Sequence, residues 1–398
     1  MGRGQLLKAT VINADSIDHL KTLEPNSIDA VVTDPPYGLG NCSSMAITEA
    51  LTSWLAGDEY QPRGGGFMGK SWDAFVPGPE LWREVYRVLK PGGHAVIFAG
   101  SRTVDLMGIA VRLSGFEVRD MLHWLYGSGF PKSLDVSKAI NKRAGVKFTK
   151  HPALGVGFMN AQIDGYNITK NQLHQSGEST AQAKQWEGWG TALKPAHEPI
   201  LLCRKPLEGA VVDNVERWGV GGLNVDGCRI GEEGATTRSH QSKKYVNGWR
   251  TGHQVIDLDA GRWPANILLD DHAASLVDIQ AGLEASRFFY CAKAERGERE
   301  AGLDEGEQRA NVHPTVKPLA VMRWLCKLIT PPNGLILDPF NGSGTTGCAA
   351  VQLGFSYLGI EREPEYAAIA RARIEHWGCI KLETEERQET AKQQLTLF

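Results

Sequence analysis

Two short segments combine residue types that could do chemistry at the end of a strand. The apolar run 28–33 leads into the Asp-Pro-Pro-Tyr tetrapeptide 34–37, and far along the chain the apolar run 334–337 leads into Asp338. A buried parallel strand that stops at a carboxylate and a tight turn is typical of the ligand-binding edge of an α/β sheet. Each segment therefore predicts a turn at the ligand-binding edge of such a sheet.

The tetrapeptide Asp34-Pro35-Pro36-Tyr37 places two hydrogen-bond acceptors beside an aromatic ring. The Asp34 carboxylate and the Pro35 carbonyl can accept both N–H groups of an exocyclic amine, whose lone pair is otherwise delocalised into its ring. The two prolines stiffen the turn, and Tyr37 can stack on a base extruded from a helix. An ordinary Asp-Pro-Pro turn is the default interpretation for the tetrapeptide alone. At a strand end, together with the second segment, the pattern favours an amine on a nucleic-acid base as the reacting group.

The second segment, 338–346, is rich in glycine and predicts a turn that opens a helix. Gly342 and Gly344 allow a ligand to approach the backbone closely and the next helix to pack tightly. A later apolar run ends at Glu361, the first acid after the turn, and an acid in that place can bind both hydroxyls of a ribose. A lone glycine turn would equally suit a dinucleotide, so the ligand class depends on the longer pattern.

The longer pattern Asp-Pro-Phe-x-Gly-Ser-Gly-Thr-Thr resembles the cofactor loop of the amino-group DNA methyltransferases, and the tetrapeptide 34–37 resembles their catalytic motif. The resemblance implies S-adenosyl-L-methionine as the cofactor and the four residues of the tetrapeptide as catalytic. The cofactor contacts that it implies are Asp15, His313, Thr315, Lys317, Asp338, Pro339, Phe340, Asn341, Gly342, Ser343, Gly344, Thr345 and Glu361. Simple loop capping is the competing interpretation for the three acids in this set.

The order of the motifs resembles the beta class of these enzymes, in which the catalytic motif precedes the cofactor motif. In such a permuted chain, the strand that ends at Asp338 is implied to lie beside the strand that ends at Asp34. The resemblance spans roughly residues 10–133, 195–206 and 311–378. The middle of the chain carries no matching motif.

Short apolar runs alternate with amphipathic segments in both end regions, for example a strand at 28–33 and a helix at 79–90. This rhythm predicts an α/β fold with a doubly wound, mostly parallel sheet, and the resemblance implies its permuted, Rossmann-like methyltransferase form with an inserted target-recognition region. We expect four parts, namely a catalytic half at 1–133, the inserted region at 134–310 with a sheet strand near 199–203, a cofactor-binding half at 311–378 and a flexible tail at 379–398.

The composition is that of an ordinary globular protein, with 42% hydrophobic and 22% charged residues and a net charge of -3. No apolar run reaches the roughly 18 residues of a membrane span, and the start of the sequence lacks a signal-peptide pattern. The 7 cysteines contain no CxxC pair, which argues against a disulfide framework and a zinc site. We expect a cytoplasmic protein without metal or membrane partner, either bacterial or encoded by a virus and acting in a bacterial cytoplasm.

Basic residues are concentrated in two stretches of the central region. Residues 132–150 contain six Lys or Arg and one acid, and residues 234–256 contain no acid. Basic stretches with aromatic residues between them suit phosphate and base contacts. We therefore predict DNA contacts from Lys243, Lys244 and Arg250, with a solvated loop as the competing interpretation for either stretch.

Together the motifs predict a site-specific DNA methyltransferase that flips one base and methylates its exocyclic amine. The expected partners are double-stranded DNA and a restriction endonuclease, and the protein is expected to be a monomer or a homodimer. Adenine N6 is the expected acceptor because cytosine-N4 members of the family more often begin the tetrapeptide with Ser, where this chain has Asp34. Because the mechanism serves either base, a cytosine-N4 enzyme is the alternative.

Two further functions compete with this prediction. Methylation of RNA or of a protein amide would use a similar turn, but the long central region favours recognition of duplex DNA. A DNA-binding relic without catalysis would have lost Asp34, Tyr37 or a loop glycine, and all of these are present.

Overall fold

The computed structural model describes the larger part of the chain. The described residues are 9–40, 42–63, 65–66, 71–127, 133–146, 149–151, 162–163, 166–167, 174–176, 179–231, 235–239, 244–246, 249–251, 254–258, 261–282, 285–292, 297–303, 311–313 and 316–379. The chain divides into two compact units, one of residues 1–127 with 197–398 and one of residues 128–196. None of the described helices is long and apolar enough to cross a membrane.

A nine-stranded sheet forms the centre of the larger unit. Its strands in chain order are β1 (Ala9–Asn13), β2 (Ile28–Thr33), β3 (Leu89–Phe98), β4 (Glu117–Leu125), β5 (His197–Arg204), β6 (Ile267–Asp270), β7 (Tyr290–Ala292), β8 (Leu335–Asp338) and β9 (Ser356–Glu361). Across the sheet they follow the order β1-β9-β8-β2-β3-β5-β4-β6-β7. Only β5 is antiparallel to its neighbours, β3 and β4. The predicted α/β class with a mostly parallel sheet is confirmed.

Helices connect the strands. Those of the larger unit are α1 (Ser16–Leu20), α2 (Ser44–Ala56), α3 (Pro79–Val88), α4 (Val104–Leu113), α7 (Val211–Trp218), α8 (Asp271–Ala281), α9 (Leu319–Ile329), α10 (Thr345–Gln352) and α11 (Pro364–Cys379). The smaller unit contains α5 (Val136–Arg143) and α6 (Ala181–Gln185). Single 3-10 turns lie at Ser71–Asp73, Asp226–Cys228 and Ala285–Phe288.

The described residues also form short antiparallel strand pairs. The larger unit pairs Ala235–Ser239 with Gln254–Leu258 and Lys244–Val246 with Trp249–Thr251. The smaller unit pairs Thr149–His151 with His174–Ser176 and Gln162–Ile163 with Tyr166–Asn167.

Helix α3 shows how local sequence determines an element that leads into the sheet. Pro79 stands in its first turn, where a missing N–H costs nothing, and Leu81, Trp82 and Val85 form its buried face. The helix was predicted to continue to residue 90, but it ends at Val88 because the residue before a proline avoids the helical conformation, and Pro91 follows closely. Pro91, Gly92 and Gly93 therefore lie inside β3.

The central strands are buried on both faces, and their residues alternate between two cores. In β2, Ala30 and Val32 pack with α9, α10 and α11 on one face, whereas Val31 packs with α2, α3 and α4 on the other. Alternation with a period of two is the geometry of a strand. Because both faces are covered, the end of β2 is held firmly in place.

Strands β2 and β8 are adjacent and parallel, with Ala30 paired to Ile336 and Val31 paired to Leu337. The arrangement implied by the permuted motif order is thus confirmed. It brings the residues after β2 and the residues after β8 to the same edge of the sheet.

The central region contributes more of the sheet than the sequence indicated. The strand predicted near 199–203 is present as β5, but β6 and β7 belong to the same sheet and were not predicted. Both are short, with four and three residues, so their apolar pattern is too brief to distinguish a strand from a loop. The assignment of 134–310 to target recognition stays a prediction.

Candidate active site

A cavity of about 770 Å³ lies at the carboxyl ends of β1, β2, β8 and β9. It brings together almost all the residues that the sequence singled out for catalysis and cofactor binding. Its lining includes Asp15, Asp34, Pro35, Pro36, Tyr37, His313, Lys317, Asp338, Pro339, Phe340, Asn341, Gly342, Ser343, Thr345 and Glu361. Gly344 is not in the lining, and Thr315 lies outside the described residues.

The two carboxylate oxygens of Asp34 have different surroundings. Lys317 Nζ donates a hydrogen bond of 2.6 Å to Oδ2. Oδ1 is buried and accepts no hydrogen bond from any residue that the structure describes. A buried acceptor without a donor is costly unless a ligand supplies one. Asp34 is therefore anchored through one oxygen, and its other oxygen is an acceptor without a donor among the described residues.

Tyr37 is held at both its hydroxyl and its backbone. Its hydroxyl donates to Glu198 Oε2 at 2.8 Å, and its carbonyl accepts from Thr103 Oγ1 at 2.6 Å. The next amide, of Gly38, donates to the buried Asp73 carboxylate at 2.9 Å. Burial raises the pKa of Tyr37 well above its usual value, and the nearby carboxylates add to the rise. The ring is thus a neutral phenol in a fixed orientation.

Lys317 lies among the residues of the catalytic turn. Its Nζ atom is 2.6 Å from Asp34 Oδ2 and 3.3 Å from Glu198 Oε2, and it lies 5.2 Å from the centre of the Tyr37 ring. Burial alone would lower the pKa of Lys317, but the two carboxylates outweigh burial and raise it. Lys317 remains an ammonium ion that joins two anions. The cofactor contact that the resemblance implied for it stays a prediction.

Asp338 joins the two predicted segments through a buried hydrogen bond. Thr33 Oγ1, at the end of β2, donates to Asp338 Oδ1 at 2.7 Å, and the Phe340 amide donates to the same oxygen at 3.1 Å. Burial raises the pKa of Asp338 to about 6, although hydrogen bonds from Thr33 and Thr346 oppose the rise. Asp338 therefore fixes the start of the glycine turn against the strand that carries the catalytic tetrapeptide.

The glycine turn requires left-handed backbone at two positions. Gly342 has φ of +51° and Gly344 has φ of +81°. A Cβ on Gly342 would lie 2.9 Å from His313 Nε2, whereas a Cβ on Gly344 would lie 2.8 Å from the Cβ of Ala370 in α11. Gly342 therefore allows the turn to lie close to His313, and Gly344 allows α11 to pack closely.

Glu361 at the end of β9 closes the turn. Its Oε2 accepts from the Gly342 amide at 2.7 Å and its Oε1 accepts from the Glu363 amide at 2.9 Å. Burial raises the pKa of Glu361, and these backbone hydrogen bonds oppose the rise. Each carboxylate oxygen has a second lone pair, so Glu361 can cap the loop and still accept hydrogen bonds from a ligand.

Asp15 shows the capping role that was the competing interpretation for it. Its Oδ1 accepts from the amides of Ile17 and Asp18 at 2.9 and 3.3 Å, so it caps the N-terminus of α1. Asp15 also lines the cavity. Its contact with a cofactor adenine stays a prediction.

The structure adds two residues that the sequence did not single out. Arg373 of α11 is fully buried and donates to the Ser343 carbonyl at 2.6 Å and to the Ser343 hydroxyl at 3.0 Å. Glu198 binds Tyr37 and Lys317. The only signal for Glu198 in the sequence is that an acid stands at the start of a predicted strand. The start of a strand lies at the ligand-binding edge of the sheet only if that strand is antiparallel to its neighbours.

The residues predicted to bind DNA are not among those that line the cavity. Lys244 and Arg250 are on the hairpin formed by Lys244–Val246 and Trp249–Thr251. Lys243 lies outside the described residues. Their contact with DNA stays a prediction.

A mostly parallel sheet with a glycine-rich turn at the carboxyl end of one strand is the architecture of a nucleotide-binding α/β protein. The family model described as DNA methylase matches residues 28–372. The chain therefore belongs to this family of N6/N4 amino-methyltransferases, which act on DNA and take their methyl group from S-adenosyl-L-methionine.

Individual relatives were found among both sequences and structures. The type II methyltransferase M.HindIII of Haemophilus influenzae is 24% identical over 390 residues, which cover 92% of this chain and 94% of that one. M2.LlaDCHI of Lactococcus lactis subsp. cremoris is 44% identical over 70 residues, covering 18% of this chain and 26% of that one. The solved M1.HpyAVI–SAM complex has 17% identity and a TM-score of 0.40, and the match covers 92% and 98% of the two chains.

The residues of the cavity fit such a methyl donor. The cavity of about 770 Å³ is within the range of small-molecule sites. A side chain at Gly342 would meet His313, which also lines the cavity. Glu361 retains acceptor capacity beside that glycine. Asp34, whose buried Oδ1 has no donor among the described residues, is part of the lining of the same cavity.

Proposed function

We propose that this DNA methyltransferase is site-specific and that it methylates adenine at N6. The observation that supports the proposal is the buried Asp34 Oδ1, which has no hydrogen-bond donor among the described residues and belongs to a residue that lines the same cavity as the glycine turn. An exocyclic amine is a donor that suits this oxygen. The reacting amine would then lie beside the cofactor.

In the proposed mechanism, Asp34 Oδ1 accepts one N–H of the amine and the Pro35 carbonyl accepts the other, which localises the nitrogen lone pair. Pro36 keeps the turn rigid, and the Tyr37 ring stacks on the flipped base. S-adenosyl-L-methionine, when bound, supplies a methyl group on a positively charged sulfur. The methyl–sulfur bond would break as the N–C bond forms, and the cofactor would leave as a neutral thioether. Asp34 Oδ1 would take the proton that the methylated nitrogen releases, while Lys317 holds the other oxygen.

We assign the cofactor to the glycine-turn side of the cavity. Glu361 would accept hydrogen bonds from ribose hydroxyls, the backbone at Gly342 would border the cofactor, and Phe340 would pack against it. The remaining proposed contacts are Asp15, His313, Thr315, Lys317, Asp338, Pro339, Asn341, Ser343, Gly344 and Thr345.

The choice of adenine depends on the first residue of the tetrapeptide and on the stacking area of a purine. Asp34 and Pro35 would serve the amine of cytosine equally well, so a cytosine-N4 enzyme is the second candidate. Family members that methylate cytosine more often begin this motif with Ser. The larger purine ring also stacks somewhat better on Tyr37.

The product of the purified protein tests this assignment. Unmethylated duplex DNA of mixed sequence is incubated with the protein and S-adenosyl-L-methionine, digested to nucleosides and separated by mass spectrometry. We expect N6-methyladenine. An Asp34→Ala variant should form it at least about 100-fold more slowly, whereas an Asp58→Ala variant of an exposed acid should form it normally. N4-methylcytosine as the only product would refute the adenine assignment and leave the class of enzyme unchanged.

We further propose that the segment 134–310 reads the target sequence and that Lys243, Lys244 and Arg250 contact DNA phosphates. Replacing Lys243 and Lys244 by alanine should weaken binding to all sequences and flatten its dependence on salt, since each lost phosphate contact lowers the salt slope by about 1. An unchanged slope in a fluorescence-anisotropy titration would exclude the hairpin from the DNA interface.

The names of the type II relatives support a restriction endonuclease as a biological partner. The protein would then protect its own recognition sites from cleavage. Long-read sequencing of DNA from cells that express the chain would reveal the modified sequence, and resistance of that DNA to a matching nuclease would test the pairing.

A further inference from the structure

Glu198 reaches the cavity because of the direction of its strand. β5 runs antiparallel to β3 and β4, and its register pairs Glu198 with Trp124 and Ile200 with Phe98. The first residues of β5 therefore lie at the edge of the sheet where β3 and β4 end. Glu198 lines the cavity there, with 22% of its side chain exposed.

One oxygen of Glu198 contacts both sides of the catalytic turn. Oε2 accepts the hydrogen bond of the Tyr37 hydroxyl at 2.8 Å and lies 3.3 Å from Lys317 Nζ. The same ammonium donates to Asp34 Oδ2 at 2.6 Å. A continuous series of contacts thus joins the ring that would stack on the base to the carboxylate that would accept its amine.

We propose that Glu198 is a positioning residue for methyl transfer, which orients the Tyr37 ring and holds the Lys317 ammonium against Asp34 so that Oδ1 of Asp34 faces the base. The inference depends on the proposed function, because it assigns Glu198 to the same reaction. Glu198 acts through its two neighbours and does not itself bind the reacting amine.

The charges around Lys317 explain why a second carboxylate is useful. A buried ammonium is stable only when it is well paired. Asp34 and Glu198 together keep Lys317 charged against the effect of burial. Among the described residues, Tyr37 and Tyr126 also interact with members of this group, and Asp338 interacts with Asp34. Without the charge on Glu198, the ammonium would keep one anionic partner and lose its proton at a lower pH.

The test replaces Glu198 by glutamine, which preserves size and polarity and removes the charge. Turnover is measured with methyl-labelled S-adenosyl-L-methionine and long unmethylated duplex DNA from pH 6 to about 10, the upper value set by the ordinary lysine pKa. We expect kcat to fall about 10- to 100-fold, as for loss of a charged hydrogen bond. The KM for the cofactor should change little. The alkaline limb of kcat lies at or above the top of this range in the wild type, because the pKa of Lys317 is raised, and it should move down into the range in the variant.

Two further variants distinguish loss of the Glu198 charge from a change in side-chain length and from a general effect on folding. Glu198→Asp retains the charge, so its alkaline limb should lie closer to that of the wild type even if kcat is reduced. Glu216→Gln changes an exposed glutamate on α7 and should leave both quantities unchanged. Calorimetric titration of the cofactor shows that each variant is folded.

The possible results distinguish the inference from the function on which it depends. If the wild-type protein transfers no label, the proposed function fails. If it transfers label and Glu198→Gln has a normal kcat, Glu198 does not position the site. A lower kcat with an unmoved alkaline limb would make Glu198 a packing residue and also overturn the proposal.

Discussion

The two turns at the edge of the sheet are stabilised in different ways. The catalytic turn, 34–37, is held by side chains from elsewhere in the sequence, namely Lys317, Glu198 and Thr103. The glycine turn is held mainly by its own backbone geometry and by residues of its own half of the chain, with Glu361 and Arg373 bound to it. Single side chains should therefore control catalysis, whereas backbone changes should control cofactor binding.

Replacement of Asp34 by alanine in the catalytic turn should have the largest effect on methyl transfer. Methyl transfer should fall by about two to four orders of magnitude, because a preorganised acceptor for the reacting amine is lost. Cofactor affinity should remain nearly normal, as the glycine turn does not depend on Asp34. Single-turnover kinetics and calorimetry measure the two quantities. Near-normal transfer by the folded variant would exclude Asp34 from catalysis.

Replacement of Gly342 by valine should have the opposite pattern. Cofactor affinity should fall at least about 100-fold, because the branched side chain strains a left-handed residue and meets His313. Gly354→Val is the matched control, since Gly354 also has positive φ, +76°, but a Cβ there meets nothing within 4 Å. Equal losses of cofactor affinity in the two variants would show that backbone strain is responsible, and not the contact with His313 in the cavity lining.

Replacement of Arg373 by methionine tests whether the glycine turn depends on α11. The variant leaves the Ser343 carbonyl and hydroxyl without their buried donor, so the free energy of unfolding should fall by about 1–3 kcal/mol. Cofactor affinity should fall with it. Arg371→Met, at an exposed neighbouring position, should cost less in urea denaturation. Unchanged stability and affinity in the Arg373 variant would mean that the turn holds its own shape.

The pKa of Asp338 predicts a smaller effect that depends on pH. Because its pKa is raised from 3.8 to about 6 in the folded protein, the folded state binds more protons than the unfolded state across that range. The stabilisation by protonated Asp338 is therefore fully present at pH values below the pKa of the unfolded state. It is lost as pH rises to about 6, and the free energy of unfolding falls by on the order of 3 kcal/mol at most. Asp338→Asn should lose less stability between pH 4 and 7 than the wild type, as denaturation at each pH would show.

Both turns could be located from the sequence because each one is a local pattern after an apolar strand. The adjacency of β2 and β8 was implied by the motif order and is confirmed by the pairing of Val31 with Leu337. The position of Glu198 at the cavity, by contrast, depends on the direction of β5, which the apolar residues of that strand do not reveal. The role of Arg373 depends on tertiary packing, and a basic residue within a helix normally predicts a solvent-exposed position.

The antiparallel course of β5 also limits how the chain can vary in length. Successive residues of a strand point to opposite faces of the sheet, so one inserted or deleted residue within His197–Arg204 would turn Glu198 away from the cavity and place a neighbour there. Connecting segments tolerate such changes more readily. Related chains should therefore differ in length before His197 and after Arg204, while the number of residues between these two positions stays constant.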